Sequence, residues 1–128
     1  MILLLDTQLL IWATAFSPTL SKRARALLTD PDNQLVFSVA SIWEASIKQA
    51  RGRPDFNIDT HLLRRALLSN GWEELPVTSE HALATMNLPP LHKDPFDRLL
   101  LAQAISEGMT LLTSDSTLAG YPGPIIQA

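Results

Sequence analysis

Ile2-Leu3-Leu4-Leu5-Asp6-Thr7 decides the fold: four aliphatic residues in a row, then an acid and a hydroxyl residue. A short unbroken apolar run suits a strand buried on both faces of a parallel sheet, whereas a strand with one wet face would alternate. Asp6 falls where that strand ends, and Gln8 to Thr14 reads as the helix that follows. The same order recurs outward. Ser21 can cap a helix through Arg25 and Leu28, closed by the turn Asp30-Pro31-Asp32-Asn33. Leu35-Val36-Phe37-Ser38 is the next strand, with a helix from about Ala40 to Arg51 and Gly52 at its C-terminal cap. Thr60 to Ser69 reads as a helix stopped by Asn70-Gly71. Glu74-Leu75-Pro76-Val77 reads as a weak strand, short or at an edge because of its proline. Ser79 to Met86 is a short helix. Asp94-Pro95 opens the clearest helix, Phe96 to Glu107, which Gly108 stops. Met109 to Leu112 and Ile125-Ile126 complete the strands. Strands alternating with helices predict an α/β domain, three layers around a short parallel sheet. No repeat or linker divides the chain, so residues 1–128 are expected to form a single domain.

Composition narrows the chemistry. Of 128 residues 46% are hydrophobic and 18% charged, which argues for a packed core and against disorder. Without cysteine there is neither a disulfide framework nor a thiolate metal site. The opening run imitates a secretory leader, and Ala13-Thr14-Ala15 imitates its cleavage site. No basic residue precedes it, however, and Asp6 splits it. No apolar stretch is long enough to span a bilayer. The expectation is a cytoplasmic protein with no membrane partner. A net charge of −3 is not the footprint of a chain that holds nucleic acid by bulk charge. An RNA substrate would need bound cations or local basic patches.

Four acids stand out by position. Asp6 and Asp115 directly follow apolar strands; Glu44 and Asp97 lie in the early turns of helices. In a parallel sheet, strand C-termini and the next helix N-termini share one rim, where ligands of open α/β sheets bind. Carboxylates gathered there resist ionising together unless a cation lies between them. Oxygen donors suit Mg2+ or Mn2+, and three scattered histidines make zinc a poor fit. Phosphodiester hydrolysis follows naturally from such a centre. Each acid also has a purely structural reading. Asp6 and Asp115 can cap the helical turns after them. Ser41-Ile42-Trp43-Glu44 fits a capping box. Asp94 can cap its helix or pair with Arg98, and Asp97 can answer the helix dipole.

The stretches Leu4-Leu5-Asp6-Thr7, Ser38-Val39-Ala40-Ser41-Ile42-Trp43-Glu44, His92-Lys93-Asp94-Pro95-Phe96-Asp97-Arg98, Ala102-Gln103-Ala104 and Thr113-Ser114-Asp115, in this order, resemble PIN-domain toxins of the VapC type. The resemblance covers nearly the whole chain. It implies a three-layer α/β/α fold, Mg2+ or Mn2+ in an acidic pocket, and endoribonuclease activity. It places Asp6, Glu44, Asp97 and Asp115 as the catalytic acids and metal ligands. Asp6 and Asp97 would touch metal directly; Glu44 and Asp115 would do so directly or through water. Thr113 would support the site, with Asp94 mainly structural. It further implies a VapB-like antitoxin that covers the pocket and represses the operon, so that DNA is reached only through the antitoxin, and a homodimer.

Lesser features stay open. Three basic groups could guide RNA: Lys22-Arg23 with Arg25, which reads better as a solvated helix face, Lys48 with Arg51 and Arg53, and Lys93 with Arg98. Arg51 and Arg53 are the preferred RNA or antitoxin contacts, and Arg64-Arg65 reads as a polar helix face. Trp12, Trp43 and Ile47 are core or interface candidates. His92 is expected to structure its loop, since metal activation leaves no need for an imidazole base. Two rival readings fit the residues less well. A phosphatase or phosphoacceptor would need a second acid beside Asp6 and a lysine after Lys93, and neither exists. A non-catalytic PIN-like binding module would lack one or more of the acids.

Overall fold

Leu3, Leu4 and Leu5 have no exposed surface at all, because β1 (Ile2–Leu5) is the middle strand of five. The computed structural model describes residues 1–52 and 57–128. After β1 come α1 (Thr7–Thr14), α2 (Lys22–Thr29), β2 (Gln34–Ser38), α3 (Val39–Ala50), α4 (Thr60–Ser69) and β3 (Glu73–Leu75). α5 (Ser79–Ala84) runs on into a 3-10 turn, Thr85–Asn87. α6 (Pro95–Glu107), β4 (Thr110–Thr113), α7 (Ser116–Ala119) and β5 (Ile125–Gln127) follow. The strand order is β3-β2-β1-β4-β5, and every pairing is parallel.

Side-chain alternation along the strands sorts the core into two slabs. Leu3, Leu5, Phe37 and Leu112 face Leu9 and Leu10 of α1, Ala24 of α2, Ala45 of α3, and Leu63 and Leu67 of α4. Leu4, Val36 and Leu111 face Leu100, Leu101 and Ala104 of α6 together with Leu118 and Tyr121. Helices therefore cover both faces, giving the expected three layers. Apolar residues must fill both sides of β1, which is why its sequence does not alternate.

Local boundaries follow their chemistry. β3 is an edge strand and stops before Pro76, which has no N–H to offer a ladder. Ser21 caps α2 by accepting from the Ala24 N–H. α6 starts with Pro95 and ends at Gly108, whose φ of 67° is a conformation that favours glycine. The helix predicted through Met86 instead tightens into the 3-10 turn. The capping box that Ser41 and Glu44 fit as a structural alternative does not form, because α3 starts earlier. Ser38 is its cap, its Oγ accepting from the Ala40 N–H at 3.0 Å, and Ser41 lies one turn inside.

A buried polar link crosses the second slab. The Ser38 hydroxyl donates to Gln103 Oε1 (2.6 Å), and Gln103 Nε2 donates to the Pro76 carbonyl (3.3 Å). Gln103 is wholly buried, so it fastens α6 to the ends of β2 and β3. Gln103→Leu leaves that carbonyl without its donor and is expected to cost roughly 1–3 kcal/mol. Urea unfolding midpoints check this; an unchanged midpoint would refute the link's importance.

Candidate functional site

Along the sheet, β1 lies between β2 and β4, so the chain leaves β1 toward one side and β4 toward the other. Open parallel sheets form a crevice beyond the strand ends at such a reversal. Asp6 stands there. Its backbone N–H donates to the Leu112 carbonyl (3.0 Å), continuing the β1–β4 pairing by one residue. Its carboxylate serves two elements. Oδ1 accepts from the Leu9 N–H (2.8 Å), capping α1, and Oδ2 accepts from the Thr113 hydroxyl. Thr113 is fully buried, and its Oγ1 in turn accepts from the Asp115 N–H (3.0 Å). One hydroxyl thus fixes the spacing of two acids.

Asp115 caps α7, accepting from the Thr117 (2.8 Å) and Leu118 (3.3 Å) N–H groups. Asp94 caps α6 by accepting from Phe96 (2.8 Å) and Asp97 (3.3 Å). No ion pair links Asp94 to Arg98 among the described residues. The guanidinium instead donates to the carbonyls of Pro89 (3.0 Å) and Thr85 (2.9 Å) and to the Tyr121 hydroxyl (2.9 Å). That removes Arg98 from the cations expected to guide RNA.

The loop before α6 carries a surprise. His92 does structure it: its N–H donates to the Tyr121 hydroxyl (2.8 Å), which donates back toward the His92 carbonyl (3.3 Å). Its ring, however, lies among the acids, with Nε2 2.7 Å from Asp97 Oδ2 and 3.4 Å from Asp115 Oδ2. The only forward signal was its position five residues ahead of Asp97 in a loop that turns back on the helix.

The electrostatics match the crowding. Burial pushes the Asp6 carboxyl above its usual value against the hydrogen bonds from Thr113 and Leu9, and the charge of Asp115 adds to the rise. Asp97 is raised to about 6, first by burial and then by the charge of Asp94, with Asp6 adding and the His92 hydrogen bond opposing. A carboxyl raised in the fold stabilises it fully below the unfolded value near 3.8, and that contribution is lost as pH rises through about 6. Asp97→Asn is therefore expected to stabilise the metal-free protein at pH 8 by about 1–2 kcal/mol, solvent screening at this part-open site included. The gain should vanish near pH 4. Denaturant unfolding in EDTA at the two pH values measures it, and an equal effect at both would refute this origin.

Asp6, Asp97 and Asp115 thus come together, whereas Glu44 joins them through no hydrogen bond or ion pair among the described residues. It is 9% exposed; Oε2 pairs with Lys48 Nζ at 3.0 Å, and Oε1 is buried with no partner among the described residues. The Thr7 hydroxyl donates to Ser41 Oγ (2.9 Å), tying the start of α1 to the turn before Glu44. Glu44 and Asp94 line one pocket of about 390 Å³ with Lys48, Arg51, Lys93 and Phe96. Trp43, 61% exposed, sets its ring edge-on to Phe96 with centroids 5.3 Å apart. Arg53 lies outside the described residues.

These donors suit a divalent cation. Burial and neighbouring carboxylates raise the cost of charging Asp6 and Asp97, and Glu44 Oε1 is a buried acceptor that no described residue satisfies.

A parallel five-stranded sheet between helices, with acids at the reversal of strand order, places the chain among open α/β proteins, which bind their ligands in that crevice. The chain belongs to the PIN domain family, whose model matches residues 3–123. No curated protein matches the sequence. Among solved structures it is similar to VapBC2 from Rickettsia felis bound to a promoter DNA fragment, with a TM-score of 0.71 and 18% identity over 100% of this chain and 98% of that one. A toxin–antitoxin complex from Klebsiella pneumoniae gives a TM-score of 0.67 and 18% identity over 97% and 95%. VapBC-1 from nontypeable Haemophilus influenzae gives 0.60 and 22% over 93% and 90%. At these identities the likeness is one of fold.

Proposed function

We propose that this chain is a metal-dependent endoribonuclease, the toxin of a VapBC-like toxin–antitoxin pair. The observation that carries the reading is the convergence of Asp6, Asp97 and Asp115 at the sheet's crevice, with Asp6 and Asp97 pushed up in pKa first by burial and then by neighbouring carboxylates, Asp115 for Asp6 and Asp94 and Asp6 for Asp97. Asp6, Asp97 and Asp115 would hold Mg2+ or Mn2+, with Glu44 bearing on it directly or through water. When bound, such a cation makes a bound water a better nucleophile and offsets charge building on the phosphate. Thr113 keeps Asp6 oriented toward the crevice, and the Asp94 cap holds the first turn of α6 so that Asp97 faces its neighbours.

Lys48, Arg51 and Lys93 around the adjoining pocket supply the local positive charge that a chain of net −3 otherwise lacks, and so favour an RNA strand passing Glu44. A VapB-like antitoxin would cover this face, and Arg51 and Arg53 are our preferred contacts for RNA or for it. We place the protein in the cytoplasm as a homodimer that reaches DNA only through its antitoxin. No described helix is long and apolar enough to cross a membrane.

Purified protein free of antitoxin, given cellular RNA with Mg2+ or Mn2+, is expected to cut internally, leaving 5′-phosphate and 3′-hydroxyl ends, and to stop in EDTA. If neither ion supports cleavage, the chain is a non-catalytic binding module.

A further inference from the structure

We propose that His92 is itself a ligand of the cation centre, giving it mixed imidazole and carboxylate character and a preference for Mn2+ over Mg2+. The inference rests on the metal-dependent reading above and adds a nitrogen donor to it. His92, Asp97 and Asp115 each offer a ligand atom, and these atoms lie within 4.8 Å of one another. Adjacent ligands of an octahedral ion stand about 1.4 times the metal–ligand distance apart, so about 3 Å for bonds of about 2.0–2.2 Å. The separations from His92 Nε2 to the two carboxylates are 2.7 and 3.4 Å. One ion can therefore take all three donors with shifts of a few tenths of an ångström on those two edges.

The ring is presented, not left dangling. Its backbone is held by Tyr121, which Arg98 braces, and Arg98 also grips Pro89 earlier in the same loop. The other histidines are placed elsewhere. His81 is buried with its Nδ1 taken by the Thr78 N–H and its Nε2 by Glu107, and His61 is exposed on α4. Nε2 lies 2.7 Å from Asp97 Oδ2, and a cation bound by all three would take the Nε2 lone pair. Imidazole suits later first-row ions better than Mg2+, while a carboxylate majority remains compatible with Mn2+.

The test uses the intact chain with Mn2+ and no RNA. Pulsed electron paramagnetic resonance of the bound ion is expected to show nitrogen modulation, and isotopically labelled histidine should shift it. Because this readout needs only the native protein, it decides the matter even if a variant folds poorly. His92→Gln keeps a hydrogen-bond donor for Asp97, yet should abolish the modulation. It should also weaken Mn2+ by roughly 10–100-fold in calorimetry while changing Mg2+ far less. Bound Mn2+ without nitrogen coupling overturns this inference and leaves the nuclease reading standing. If neither ion binds, both fall.

Discussion

Asp6→Asn is expected to lower RNA cleavage by roughly 10²–10³-fold or more while the protein stays folded. The carboxylate sits where β1 and β4 end side by side, 4% exposed, with one oxygen on the Leu9 N–H and the other on the Thr113 hydroxyl. Asn can keep the cap through its amide oxygen, so α1 should persist. What it removes is a negative charge that burial already disfavours, and folding stability should hold or rise at neutral pH. Opposite signs for activity and stability separate a working acid from a structural cap, which would lose stability first. Cleavage rates with Mn2+ and thermal melts of the same preparations make the comparison. Activity within about threefold of the native chain would remove Asp6 from the centre.

Much of this arrangement was legible in the residues, for reasons that differ by element. β1 announces itself because a strand covered on both faces must be apolar throughout. Asp94-Pro95 announces α6 because cap and first helical residue are local choices, as is Gly108 at its end. The approach of Asp6, Asp97 and Asp115 followed from a topological rule, since consecutive parallel strands put their exits on one rim.

What was not legible depends on partners distant in sequence. Ser41 to Glu44 satisfies a capping-box spacing, but the strand before it ends at Ser38, which takes the cap first. The His92 ring position depends on Tyr121, 29 residues later, and no local pattern reports it. Arg98 looked like a surface cation four residues from Asp94. Its partners are carbonyls of a loop that folds over α6, and a carbonyl leaves no mark in a sequence. Glu44 shows the same limit from the other side. Its ion pair with Lys48 is an ordinary helical spacing, while the burial of its other oxygen away from every described partner is visible only in three dimensions.

Arg98→Met is expected to be the most damaging single change outside the acids, destabilising the fold by about 3 kcal/mol or more. Met fills the stem's volume but offers no donor. The Pro89 and Thr85 carbonyls and the Tyr121 hydroxyl would each lose a charge-assisted hydrogen bond in a part-buried setting. Tyr121→Phe removes only one node of that array and should cost about 1 kcal/mol, which makes it the natural comparison. The two changes also predict different fates for the centre. Losing Arg98 frees the loop from residue 85 to residue 92, so the His92 ring and with it the geometry at Asp97 should loosen, and Mn2+ affinity should fall even under conditions where the variant is folded. Arg98→Lys restores the charge but not the fork that reaches three acceptors at once, so it should recover little of the stability. Denaturant unfolding and calorimetric Mn2+ titration of the three variants measure both effects. Full rescue by Lys would mean that charge alone, not the bracing of the loop, is what Arg98 supplies.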